Sequence, residues 1–363
     1  MSRSILIMAG GTGGHIMPGL ALAEAMRNRG WAVRWLGTTH GMENRLVPNA
    51  GIDLHTLSFS GLRGKGAAHA VRGALQLVRA ASKSVSLMRQ MRPSIVLGMG
   101  GYVTVPGGFA AAILRRPLLL MNADARLLLS NRVLAPFAKG VMFGLPPARK
   151  LSRDERFTGS PVRAEITALA PPEERFTGRS GPLCVLVVGG SLGAAILNRI
   201  VPEAIASLPP EHRPTVVHQS GEAHLPQLSA RYKSLQINAV TVPFIDDIAK
   251  AYSDADVIIC RAGAITVNEL TAAGVASILV PLAVSTTSHQ LDNARYMEKA
   301  GAAVMIEQAA LTAASLKGVL EGLSRERLLS MASAAHKLGR REATEAVVEE
   351  IIRSAAPEAT NET

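Results

Sequence analysis

One local design occurs twice in this chain, and it narrows the fold more than any other feature. Ser4–Met8 is a short apolar run that breaks into Gly10-Gly11-Thr12-Gly13-Gly14. Leu20, Leu22, Ala23 and Met26 then recur on one side of a helical pattern, which Gly30 stops. Leu183–Val188 repeats the run, Gly189-Gly190-Ser191-Leu192-Gly193 repeats the turn, and Ile196, Leu197, Ile200 and Ile205 repeat the helical stripe. Strand, glycine turn and amphipathic helix form the opening unit of a doubly wound parallel sheet. Further short apolar runs predict strands at Val33–Leu36, Ile95–Gly98, Leu118–Met121 and Gly140–Phe143 in the first half. The second half has them at Thr215–Gln219, Val240–Val242, Val257–Cys260 and Ser277–Val280. Their alternation with helical stretches predicts two α/β domains, 1–163 and 164–340, with a boundary near Gly159–Arg163. A helical stretch over about 341–355 and a tail, 356–363, follow.

With 363 residues, 48% of them hydrophobic and 18% charged, the chain has enough apolar side chains for two cores. Cys184 and Cys260 sit inside apolar runs, as small core residues of a reducing compartment do. No apolar stretch reaches the ~18–20 residues of a membrane span. Met1-Ser2-Arg3 runs straight into the first strand instead of a leader, which predicts a cytoplasmic protein.

Charge is unevenly placed. Residues 1–163 carry 22 Lys/Arg against 6 Asp/Glu, whereas residues 164–363 are net negative, and the whole chain is +11. No acid occurs from Leu54 to Ala123, a span that holds nine bases. The first half therefore suits an anionic partner: a pyrophosphate substrate, a phospholipid surface or a nucleic acid. Nucleic acid fits least, because Phe59, Tyr102 and Phe109 are the span's only aromatics and no recognition motif is present. Arg72, Arg79 and Lys83 share one helical stripe beside Val71, Leu75, Val78 and Val85. That pattern is either an ordinary surface helix packed by its apolar side or a surface that docks on anionic inner-leaflet lipid.

Each glycine turn is either a bare βα turn or an anion cradle at a helix N-terminus. A nicotinamide cofactor is disfavoured at the first. Ile16 stands where GxGxxG needs its last glycine, and the second strand ends at Gly37-Thr38 without a ribose-holding acid. The second turn also reads G-x-S-x-G, which would make Ser191 a hydrolase nucleophile. Asp254-Ala255-Asp256 is a literal DxD that fits a helix end or turn better than a metal site. The nine histidines show no metal-ligand spacing. In Arg261–Glu269, Thr266 and Glu269 form a capping box, or Glu269 accepts hydrogen bonds from a ribose diol.

Taken together these stretches closely resemble the MurG family of lipid-linked N-acetylglucosaminyltransferases. The matching segments are Met8–His15, Trp31–Gly37, Ser60–Lys65, Val96–Tyr102, Gly159–Arg163, Val187–Ser191, Phe244–Asp247, Cys260–Glu269 and His289-Gln290. The resemblance implies a GT-B fold, two Rossmann-like domains facing a central cleft, with a final helix returning to the first. It implies an inverting transfer of GlcNAc from UDP-GlcNAc to the MurNAc 4-hydroxyl of lipid I. The product is lipid II for peptidoglycan synthesis, made at the cytoplasmic face of the inner membrane without metal or cofactor. A UDP-GlcNAc 2-epimerase on the same fold is the alternative within the fold, and the Ser191 hydrolase the alternative outside it.

By the same resemblance the donor meets Ile245 at its base and Ser191 with Ala264, Ile265, Thr266, Val267 and Asn268 at its diphosphate. Glu269 then faces the ribose and Gln290 the sugar, with Arg163 a further donor-site position. Thr12, Gly13 and Gly14 are donor-binding positions that face phosphate, and His15 faces the reacting hydroxyl. A histidine titrates where a general base must work, so it suits that role. One segment departs from the family. His-Glu-Gln-Asn is replaced by Met121-Asn122-Ala123-Asp124, while Asn131 still matches. Asp124 is thus either a helix N-cap or an acceptor-side carboxylate sharing the base role with His15.

Overall fold

The computed structural model describes residues 3–11, 13–58, 67–147, 149–190, 193–282 and 289–355, with backbone alone for 67–72. Thr12, Ser191, the Ser60–Lys65 segment, the side chains of Val71 and Arg72, and the tail 356–363 lie outside the described residues. The chain divides into two compact units, residues 1–163 with 342–363, and residues 164–341.

In the first unit the strands are β1 (Ser4–Ala9), β2 (Ala32–Thr38), β3 (Asp53–Leu57), β4 (Ile95–Gly100), β5 (Leu118–Asn122), β6 (Gly140–Phe143) and β7 (Glu155–Phe157). Among the described residues they form one parallel sheet in the order β3-β2-β1-β4-β5-β6-β7. The second unit has β8 (Cys184–Val188), β9 (Thr215–Gln219), β10 (Ala239–Val242), β11 (Val257–Cys260), β12 (Ser277–Leu279) and β13 (Ala303–Met305). They too are parallel, in the order β10-β9-β8-β11-β12-β13. Both orders reverse direction between the unit's first and fourth strands, the place where open α/β sheets hold ligands. The doubly wound pair of units agrees with the sequence.

β3, β7 and β13 add to the strands the sequence shows. Asp53-Leu-His-Thr-Leu57 is short and mixes polar and apolar residues without a period, and β7 and β13 are three residues each, too short for a periodic signal. In the first unit, Ile5, Ile7, Leu97, Leu119 and Met121 of the sheet pack with Ile16, Leu22 and Met26 of the helix Gly13–Asn28. Val347, Val348 and Ile351 of the last helix, Ala343–Ala355, join the same cluster. In the second, Val185, Val187, Val257, Ile259 and Ile278 pack with Leu197, Val201 and Ile205 of the helix Ala195–Ala206. No helix of the described residues is long and apolar enough to cross a membrane.

Candidate active site

In the first unit the glycine turn is fixed from three sides. The Trp35 indole N–H donates to Ala9 O at 2.8 Å. A side chain on Gly101 would come within 2.6 Å of Gly10 O, so the end of β4 lies flat against the turn. The Gly11 N–H donates to Glu43 Oε2 at 3.0 Å and so turns away from any ligand. Gly13 and Gly14 open the helix Gly13–Asn28, whose first N–H groups lack intrahelical partners. These, not the Gly11 N–H, are the groups that can meet an anion.

His15 lies in the first turn of that helix, half-buried, with its imidazole over Gly100. Nδ1 is buried and has no side-chain hydrogen-bond partner among the described residues. Burial holds the ring below its ordinary value, against the opposite pull of the Asp124 carboxylate and the Met99 backbone. Asp124 thus lies within electrostatic reach of His15, and the sequence difference at this position bears on that ring. Asp124 is not the N-cap of the following helix, Leu129–Leu134, which starts after Leu128.

The capping work falls to Asn122, fully buried at the end of β5. Its Oδ1 accepts from the Leu128 N–H at 3.0 Å, and its Nδ2 donates to Asp124 O and Arg126 O. Asn131 is fully buried as well. Its Nδ2 donates to Met121 O and Asn122 Oδ1, both at 3.1 Å. Its amide therefore supports the loop that carries Asp124 and faces the interior.

In the second unit, Cys260 pairs with Val188, so β8 and β11 end level with each other. The second glycine turn and the helix Ala264–Ala273 emerge side by side from those ends. The turn is tight: a side chain on Gly193 would collide with Ser220 O, and the Gly193 N–H donates to Gly190 O at 2.9 Å. Beneath it runs a one-way chain of hydrogen bonds. Asn198 Nδ2 donates to Ser220 O, which leaves Asn198 Oδ1 to accept from His218 Nε2 at 3.1 Å. His218 Nδ1 then accepts from the Tyr232 hydroxyl at 2.9 Å. Burial pushes His218 down to about 3 and the Tyr232 phenol upward, so both remain neutral.

The helix Ala264–Ala273 has Gly263 as its N-cap. Thr266 therefore lies inside the first turn, and no capping box joins it to Glu269. The first intrahelical bond runs from the Val267 N–H to Gly263 O at 2.9 Å. The N–H groups of Ala264, Ile265 and Thr266 precede it and point out of the helix start. Val267 is fully buried, and Asn268 Nδ2 donates to Ala264 O, so these two face inward. Glu269, 9% exposed, accepts from the Tyr252 hydroxyl at 3.1 Å. Gln290 Oε1 accepts from the Leu282 N–H at 2.8 Å. Half-buried Ile245 lies between β10 and the helix Ile248–Asp254, and Arg163 is the half-buried last residue before residue 164.

The DxD serves the scaffold. Asp254 pairs with Lys250, and Asp256, 1% exposed, is held by Arg179, Arg325 and the Cys184 N–H. Among the described residues no group of three or more His, Cys, Asp or Glu could hold a metal ion. Sequence reasoning passed over Glu43 and Tyr252 and gave Gly100 and Asn122, inside segments it did single out, no role of their own. For Glu43 a signal exists, since Gly37 and Gly41 bracket the approach to a single acid.

On the first unit, Leu75, Val78, Ile113, Leu129 and Phe137 are large apolar residues left exposed. Val78 and Ile113 line one shallow groove with Val85 and Arg89. Arg79 is exposed beside them, whereas Lys83 Nζ donates to Thr56 O at 2.9 Å. The apolar stripe of the helix Ala67–Met91 is thus only partly packed.

Residues 5–143 match the glycosyltransferase family 28 N-terminal domain, and residues 184–347 the family's C-terminal domain. Over 348 residues the chain is 54% identical to a protein of Herminiimonas arsenicoxydans, covering 96% of this chain and 97% of that one. A second relative, from Janthinobacterium, is 53% identical over the same shares. Both are named UDP-N-acetylglucosamine–N-acetylmuramyl-(pentapeptide) pyrophosphoryl-undecaprenol N-acetylglucosamine transferase. Among solved structures, Acinetobacter baumannii MurG superposes with a TM-score of 0.82 at 35% identity, over 97% of this chain and 99% of that one.

Proposed function

The chain belongs to glycosyltransferase family 28, and from that premise we propose that it moves N-acetylglucosamine from UDP-GlcNAc to the MurNAc 4-hydroxyl of lipid I, forming lipid II. One observation in the fold carries the donor half of this reading. The level ends of β8 and β11 set a glycine turn beside a helix start with outward N–H groups, and Glu269 follows within two turns. This is a set of groups suited to a diphosphate and a ribose diol. Gln290 and Ile245 then serve the sugar and the base.

The chemistry follows from these groups. The acceptor hydroxyl is a weak acid, so a base must take its proton as the oxygen attacks the anomeric carbon. His15, whose pKa burial lowers, is that base, and Asp124 tunes it from nearby. Negative charge grows on the departing diphosphate and is met by the N–H groups of Ala264–Thr266. Attack opposite the leaving group inverts the α-linked donor to a β product. Exposed Leu75, Val78 and Ile113 with Arg79 hold the first unit on the anionic cytoplasmic leaflet, where the lipid acceptor lies.

The test combines purified protein, UDP-GlcNAc and a lipid I analogue. Release of UDP that requires the acceptor, with a disaccharide product, is the expected result. Appearance of a 2-epimer, or hydrolysis lost in Ser191→Ala, would replace the proposal with one of its two rivals.

A further inference from the structure

Resting on the reading that His15 takes the acceptor's proton, we propose that Glu43 is the positioning residue of the first glycine turn, which leads into His15. Its buried carboxylate holds Gly10 and Gly11 and thereby sets the place of His15. Glu43 opens the short helix Glu43–Asn49 and is 0% exposed. Oε2 accepts from the Gly11 N–H at 3.0 Å. Oε1 accepts from the Thr38 N–H at 2.9 Å and from Thr38 Oγ1 at 2.6 Å. All three donors are backbone or hydroxyl groups, not cations. A carboxylate removed from water is costly unless such donors hold it, so this one enforces their geometry.

Three glycines clear the space it fills. A side chain on Gly41 would collide with the carboxylate, and one on Gly10 or Gly37 would come within 2.8 Å of Oε1 or Cγ. These glycines come from the turn itself, from the body of β2 and from the loop after it. The site is therefore built from separate segments around one acid.

The placement also says what the turn is for. In dinucleotide-binding sheets an acid at the end of the second strand faces a ribose. Here Thr38 ends β2, and the acid that follows is drawn under the glycine turn, where no diol reaches it. The first turn keeps the strand–turn–helix geometry that favours an anion but lacks the group that would retain a nucleoside.

Glu43→Gln tests the assignment, because an amide nitrogen would face at least one of the N–H or O–H donors. Hydrogen exchange at the Gly11 amide, acceptor kinetics and UDP-GlcNAc KM are measured together. We expect faster Gly11 exchange and a loss in acceptor kcat/KM of about 10- to 100-fold, as for other charge-assisted hydrogen bonds, with UDP-GlcNAc KM unchanged. Thr38→Val should fall between that variant and wild type, and Thr38→Ser should restore wild-type behaviour. If Glu43→Gln fails to fold, Thr38→Val carries the same measurements. Unchanged Gly11 exchange, or donor and acceptor KM rising together, would overturn the proposal. If the wild-type protein transfers nothing to the lipid I analogue, the acceptor reading falls, and Gly11 exchange still decides the role of Glu43.

Discussion

His15 and Gly100 meet so closely that a methyl group on Gly100 would stand 2.6 Å from Cε1 and Nδ1 of the imidazole. Gly100 also has φ of +113°, a conformation that L side chains rarely adopt. The end of β4 is thus the floor on which the ring rests. Gly100→Ala should displace the ring by about an ångström, and misplacement of that size costs on the order of 100-fold in kcat. UDP affinity, measured by calorimetry, should not change. Wild-type turnover in Gly100→Ala would show that the ring's position is immaterial.

His15→Ala should lower kcat by about 10²–10⁴-fold with donor affinity nearly intact. The pH profile gives a sharper test. Burial lowers the His15 pKa, so the base stays neutral, and activity persists, to a pH below the ordinary histidine value of 6.5. Asp124 pulls the other way. Asp124→Asn, which places at 124 the residue carried by the resembled family, should move the acid limb of kcat further down and leave the enzyme active. Near-complete loss in Asp124→Asn, with His15→Ala still active, would assign the base to Asp124.

Glu269→Ala should raise UDP-GlcNAc KM by about 10- to 100-fold, the effect of losing hydrogen bonds to a charged acceptor. Tyr252→Phe removes the hydroxyl that donates to Glu269 and, because it loosens the carboxylate without removing it, should raise KM by less than Glu269→Ala does. Unchanged UDP affinity in both variants would reduce Glu269 to a structural acid of its helix.

Much of this site was legible in the sequence, and the boundary of legibility is physical. β6 and β11 coincide with continuous apolar runs because strands buried on both faces need them. The two glycine turns show themselves because their chemistry is local. Asn131 and Val267 illustrate the limit. Motif spacing brings them to the site, but only three-dimensional packing reveals that both side chains turn inward. Glu43 escaped for the same reason, since its partner Gly11 lies 32 residues away.

For the membrane surface, co-sedimentation with anionic vesicles should fall with salt and with charge reversal of Arg72, Arg79 and Lys83, at about 1 kcal/mol per base near the surface. Lys83 is tethered to Thr56 O, so Arg79→Glu should weaken binding more than Lys83→Glu. Val78→Asp should weaken it too, through the groove shared with Ile113. Binding indifferent to salt and to all of these changes would refute the assignment.

His218 gives a stability test of the second unit. Its pKa lies at about 3 in the folded chain against 6.5 ordinarily, so between those values the unfolded chain holds the extra proton. Its contribution is therefore present above pH 6.5 and is lost progressively as pH falls toward about 3. A denaturant midpoint followed from pH 7 downward should fall less steeply in His218→Gln than in wild type. Identical slopes would remove His218 as the source.

The last helix has a consequence for how the molecule is made. Val347, Val348 and Ile351 complete the core of the first unit, yet they are synthesised after every residue of the second. On the ribosome the first sheet must wait, with Ile5, Ile7 and Leu97 still missing their final neighbours, while residues 164–341 emerge as a contiguous unit able to fold first. A stop codon near residue 341 would thus leave the donor-side unit whole and strip the other of part of its interior. The damage would fall on the segment translated first, and the truncated product would be a target for chaperones and proteases.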